Sequence, residues 1–96
     1  MTKNEYNGWY NYETWLFNLW HDDAFADDAA EAHRHSKGTE DAIDQLADAI
    51  EAFAEEFVAP KEGHGFATDI MNSALQEINY REIAKHYIEQ LEQEAA

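Results

Sequence analysis

The chain contains no cysteine, which removes disulfide cross-links and thiolate metal ligands from consideration. Basic residues are scarce: six Lys plus Arg stand against 21 Asp plus Glu, for a formal charge of −15. Binding to DNA or RNA relies on cations that displace phosphate counterions, so no direct nucleic-acid contact is expected. No apolar run approaches the roughly 20 residues that a membrane span requires. The opening MTKNEYNGWYNYE has neither the basic nor the apolar region of a signal peptide. A cytoplasmic protein is expected.

What is present argues for a folded domain. Hydrophobic residues make up 45% and aromatics 14% of the 96 positions, too many for the disorder that high net charge otherwise favours. One domain is expected at this length, with a core burying about 60–65% of the unfolded surface.

Helical periodicity dominates, and the expected fold is all-α, a single compact domain of four to five short helices near residues 12–22, 23–36, 40–58, 66–78 and 80–93. Asn11 reads as an N-cap, with Tyr12, Trp15, Leu16, Leu19 and Trp20 at the spacing of one apolar face. Tyr10 and Trp15 hold the two positions of a hydrophobic staple. This spacing makes Trp15 and Trp20 core residues and leaves Trp9 and Phe17 off the stripe. The alanine-rich second helix offers little besides Phe25 to bury, so it is expected to be the least anchored, and Gly38 ends it. Thr39 reads as the cap of the third helix, whose apolar face comprises Ile43, Leu46, Ala47, Ile50, Phe53, Ala54 and Phe57, and Pro60 stops it. PKEGHG reads as a loop. Phe66, Ile70, Met71, Ala74, Leu75 and Ile78 form a fourth stripe. Asn79 has capping-box spacing to Glu82, with Ile78 and Ile83 as a second staple. Tyr80, Ile83, Ala84, Tyr87, Ile88 and Leu91 complete the buried face.

The main candidate for function is the outer face of the third helix. Asp41, Asp44, Asp48, Glu51 and Glu55 recur at spacings of three and four, giving carboxylates on average roughly 5 Å apart along a helix axis. That density is comparable with phosphates along a nucleic-acid strand. Like charges at these spacings destabilise a helix by a few tenths of a kcal/mol per pair, and no Lys or Arg lies between Gly38 and Pro60. Asp22, Asp23, Asp27, Asp28 and Glu31 extend the acidic field. The expected partner is a basic surface. An ordinary solvated helix face, or adaptation to a salty habitat, is the plainer explanation of the same pattern.

Metal and catalytic chemistry find little support. His33 and His35, two apart, point to opposite sides of a helix, and Glu82, His86 and Glu89 read more simply as surface residues. No metal and no cofactor are expected. Ser36 and Ser73 lack a nucleophile-elbow context, and the Glu62–His64 pair in the loop has no pocket defined by sequence. A non-enzymatic protein is expected.

The segments GWYNYETWLFNLWHDD and INYREIAKHYIEQ resemble a family of short phage and bacterial proteins with a Gly-Trp-x-Asn-Tyr-Glu-Thr-Trp opening, an acidic helical middle and an Ile-Ala-x-His ending. Gly8, Trp9, Asn11, Tyr12, Glu13, Thr14 and Trp15 carry the opening; Ile83, Ala84 and His86 carry the ending. The resemblance transfers no catalytic or binding residue. It implies a phage or mobile-element setting, where small acidic proteins often resemble DNA-mimic inhibitors of restriction or CRISPR machinery. The resulting expectation is an inhibitor that presents its acids to a basic, nucleic-acid-binding surface of a host protein. The alternative is a helical protein-binding module that uses Trp9 and Phe17, its acidity serving solubility.

Overall fold

The computed structural model describes residues 6–60 and 65–95. Five α-helices account for most of them: α1 (Tyr12–Trp20), α2 (Ala26–His35), α3 (Thr39–Phe53), α4 (Phe66–Glu77) and α5 (Tyr80–Ala95). A π-helical segment, Ala54–Val58, continues α3. No strand is present among the described residues, and the all-α expectation holds.

The core is a three-helix arrangement of α2, α3 and α5, with α1 and α4 packed on its flank. Ile43, Leu46 and Ile50 of α3 meet Ile83, Ala84 and Ile88 of α5, all essentially inaccessible to solvent. α2 contributes Ala29 and Ala32, buried against the same cluster. Small side chains at a helix contact let the axes approach closely, so the second helix is well seated despite its few large residues. Phe25, just before α2, fills the space beside it and meets Phe53 edge-on at 5.1 Å. α4 is the least anchored element instead, with no buried residue of its own.

α2 starts at Ala26 rather than residue 23 because Asp23 adopts a left-handed backbone, φ 67°. That conformation cannot lie inside a right-handed helix. Gly38, not Thr39, caps α3; the Thr39 hydroxyl donates to Glu92 at 2.6 Å and ties the start of α3 to α5. At its other end, the Ala59 N–H reaches the Ala54 carbonyl at 2.8 Å. The wider π turn rotates the residues that follow off the α-helical stripe. Phe57, expected in the core, is therefore 70% exposed, and Val58 packs there instead.

Two further stripes depart from expectation. In α4, Phe66, Ile70 and Met71 are exposed; Leu75 is half-buried, and Ile78 is buried just past the helix end. In α1 the buried face is Thr14 and Phe17, while Tyr12, Leu19 and Trp20 are exposed. Trp20 is 78% exposed and Phe17 only 6%. The cause lies in the caps. Asn11 Oδ1 accepts the Thr14 backbone N–H at 2.9 Å and its hydroxyl at 2.6 Å, as an N-cap should. The Thr14 oxygen also accepts the backbone N–H of Asn79, the cap of α5, at 2.8 Å. Asn79 in turn caps the Glu82 N–H at 3.0 Å. Glu82 does not close its own capping box; its carboxylate accepts the Tyr10 N–H at 2.8 Å. Asn11 Nδ2 donates to the Glu77 carbonyl at 2.7 Å.

The two helix starts thus cap one another. With Asn11 and Thr14 held at that junction, the rotation of a nine-residue helix is fixed. Phe17, one turn on, is directed into the core, where it lies 6.2 Å from Phe25 and 6.0 Å from Tyr80. His21 follows on the same side, 5.6 Å from Phe53. The staple partners part company: Tyr10 is exposed, and Trp15 packs on Tyr6 at 4.8 Å. Ile78 and Ile83, by contrast, both enter the core.

Candidate interaction surfaces

The five acids of the third helix lie opposite its buried residues. Asp44, Asp48, Glu51 and Glu55 are exposed, and Asp41 is half-buried. They are not equivalent. Asp41 accepts the Lys37 backbone N–H and the Gln45 amide, both at 2.9 Å, so it serves the start of its own helix. Asp44 and Glu40 together hold the Arg81 guanidinium of α5; the hydrogen bond to Asp44 is the chief reason the Arg81 pKa is raised. Asp48, Glu51 and Glu55 have no ion pair among the described residues. The acidic line is therefore neutralised near its N-terminal end and open toward its C-terminal end.

That open end borders a cleft of about 490 Å³ between α3 and α4, lined by Glu51, Glu55, Asn72, Gln76 and Tyr80 among others. Burial first, then the charges of Glu51 and Glu55, push the Tyr80 hydroxyl up to about 12. It donates to the Leu75 carbonyl at 3.1 Å. The negative field of the stripe thus extends into the cleft.

The other acids form a separate group. Asp22 and Asp23 sit in the turn before α2, and Asp27 and Asp28 in its first turn, all exposed and without an ion pair among the described residues. Asp27 and Asp28 also complement the helix dipole there. Glu31 is engaged by Arg34 and by His35 at 3.1 Å. The short connection Ser36–Gly38 makes α2 and α3 an antiparallel pair, so Asp27 and Asp28 share an end of the molecule with Glu51 and Glu55.

The aromatic candidates are rearranged. Phe17 is core, which corrects its assignment to a partner-binding patch. Trp9 is half-buried, stacked on His86 at 4.3 Å. It is placed there by a tight turn in which Tyr6 and Trp9 exchange backbone hydrogen bonds of 2.8 and 2.7 Å. Asn7 and Gly8 supply the positive φ values, 48° and 87°, that such a turn needs. The Asn-Gly pair was the readable signal for it. The exposed aromatic surface is instead the outer face of α1.

Histidines and neighbouring carboxylates are occupied separately. His86 stacks on Trp9, Glu82 receives Tyr10, and Glu89 lies 3.9 Å from Lys85. No group of three His, Asp or Glu among the described residues is arranged to hold a metal ion. Glu62 and His64 lie outside the described residues. No helix of the described residues is long and apolar enough to cross a membrane.

One family model, described as a family of unknown function (DUF7249), matches residues 2–95. The chain belongs to that family. No curated protein and no solved structure matches it. Within this DUF7249 chain, the opening and closing motifs quoted above are the segments that meet at the crossed caps. Asn11, Thr14, Asn79 and Glu82 thus have a structural role that accounts for their presence without a ligand.

Proposed function

We propose that the chain is a non-enzymatic inhibitor that occupies a basic, nucleic-acid-binding surface of a host defence complex of the CRISPR or restriction type. A phage or mobile-element origin and action in the host cytoplasm belong to the same proposal. The observation that supports it is the run Asp48, Glu51 and Glu55: exposed, directed away from the core, and without an ion pair among the described residues. These three carboxylates stand in for phosphates, and Asp22, Asp23, Asp27 and Asp28 add long-range attraction. Asp41 and Asp44 contribute less than their spacing suggests, because one serves the helix start and the other holds Arg81.

The test is capture of a partner from host lysate on immobilised protein, at low and at high salt. Capture should weaken steeply with salt, since exposed charge pairs are screened within about 8–10 Å at physiological ionic strength. The variant Asp48→Asn, Glu51→Gln, Glu55→Gln should lose capture and inhibition while keeping the wild-type helical spectrum. Normal inhibition by that variant would refute the mimic reading.

A further inference from the structure

The outer face of α1 is a second surface, and it differs in chemistry from the acidic one. Tyr12, Trp15, Leu16, Leu19 and Trp20 lie along it, with Tyr12, Leu19 and Trp20 close to half exposed or more. The periodicity that reads as a core stripe is real, but it points outward. Tyr6 extends the patch by packing against both Tyr12, at 5.1 Å, and Trp15.

We propose that this face docks a second copy of the chain, forming a two-fold dimer in which the same patch meets itself. Charge selects the occupant. Glu13, Asp69 and Glu77 are the sole charged residues of α1 and the adjoining α4, and neither helix carries a Lys or Arg. A basic partner finds its counter-charges on α2, α3 and α5 rather than here. An anionic lipid surface is repelled by a chain of charge −15. A second copy also carries −15, yet on this face two copies approach through their least charged surfaces.

Area agrees. At roughly 150–250 Å² per aromatic side chain, the fractional exposures leave on the order of 500 Å² of this patch open. A patch of about that size is at the upper end for a stable monomer. Two such patches together bury ~1,000 Å², the size of a weak, reversible interface. The dimer is therefore concentration-dependent rather than obligate.

Salt gives it a signature opposite to that of partner capture. Screening the repulsion between two acidic chains strengthens the dimer, whereas screening weakens attachment to a basic surface. Sedimentation equilibrium of the full chain over roughly 1–200 μM, where a small interface dissociates, should show the average mass rising toward two chains. Raising the salt should move that rise to lower concentration. Trp20→Lys and, separately, Leu19→Lys should each weaken association about tenfold or more, with thermal melts at dilute concentration unchanged because both side chains are exposed. A single-chain mass throughout the range at both salts would overturn the proposal. So would a dimer indifferent to both substitutions, or capture of an apolar host protein on this face by a chain that stays monomeric. The result is independent of the acidic-face reading, since the neutralised α3 variant should dimerise at least as well as wild type.

Discussion

At the scale of single residues, Phe17 and Trp20 reverse the roles that spacing assigns them, and this can be measured. Phe17→Ala should lower unfolding free energy by about 3–5 kcal/mol, the usual loss for a buried phenylalanine. Trp20→Ala should change it by no more than about 0.5 kcal/mol, as for an exposed position. Urea unfolding of both variants distinguishes the observed rotation of α1 from the one its stripe suggests. Thr14 is a second decisive residue. Thr14→Val keeps the shape of a fully buried side chain but deprives the half-buried Asn79 N–H of its acceptor, a loss on the order of 1 kcal/mol or somewhat more. Thr14→Ser should recover most of it. Tyr80 gives a pH test. Its raised pKa means that the folded state binds the phenolic proton more tightly than the unfolded chain does. The associated stability is fully present below pH 10.0 and is lost as pH rises toward about 12. Burial raises Tyr87 in the same direction. Urea midpoints across that window should fall for wild type and fall less for Tyr80→Phe, and least for Tyr80→Phe combined with Tyr87→Phe.

At the scale of elements, the chain advertises where helices begin more clearly than which way they face. Asn11, Asn79 and Pro60 mark their boundaries because capping and helix termination are local chemistry, whereas Gly38, read as the end of the second helix, lies beyond its Ser36 C-cap and caps α3 instead. The long amphipathic α3 and α5 also read correctly, since a stripe with many large apolar residues dominates the orientation of its helix. α1 has nine residues and apolar side chains on more than one side. Hydrogen bonds to residues more than sixty positions away chose among its faces, and periodicity carries no record of them. The π segment that ejects Phe57 and the left-handed Asp23 are likewise invisible to a count of three and four. The acidic stripe was legible in position, but its partial neutralisation was not, because Arg81 arrives from another helix. α4 carries a consequence of its own. With no buried residue and with Phe66, Ile70 and Met71 in solvent, its backbone amides should exchange with deuterium well before those of α3 and α5.

At the scale of the whole molecule, charge is segregated. The acids concentrate on α2, α3, α5 and the turn before α2, while α1 and α4 carry three among them. A chain with this excess is strained by its own repulsion in the compact state. Its melting temperature should therefore rise with added sodium chloride, a trend that scanning calorimetry would reveal. Screening of stabilising ion pairs alone would produce the opposite trend. Under the two proposals above, the same segregation gives the chain two surfaces with opposite salt responses, and raising ionic strength should shift it from a basic target toward self-association.

The crossed caps also impose an order of events. Tyr10, Asn11 and Thr14 find their partners at Glu82, Glu77 and Asn79, separated by 72, 66 and 65 positions. During synthesis α1 emerges early yet has nothing to lock its rotation until the beginning of α5 has been made. A nascent chain ending before Asn79 should therefore leave the first helix free to turn its apolar stripe inward, the arrangement its own periodicity prefers. Completion of the last helix would then expel that stripe to the surface.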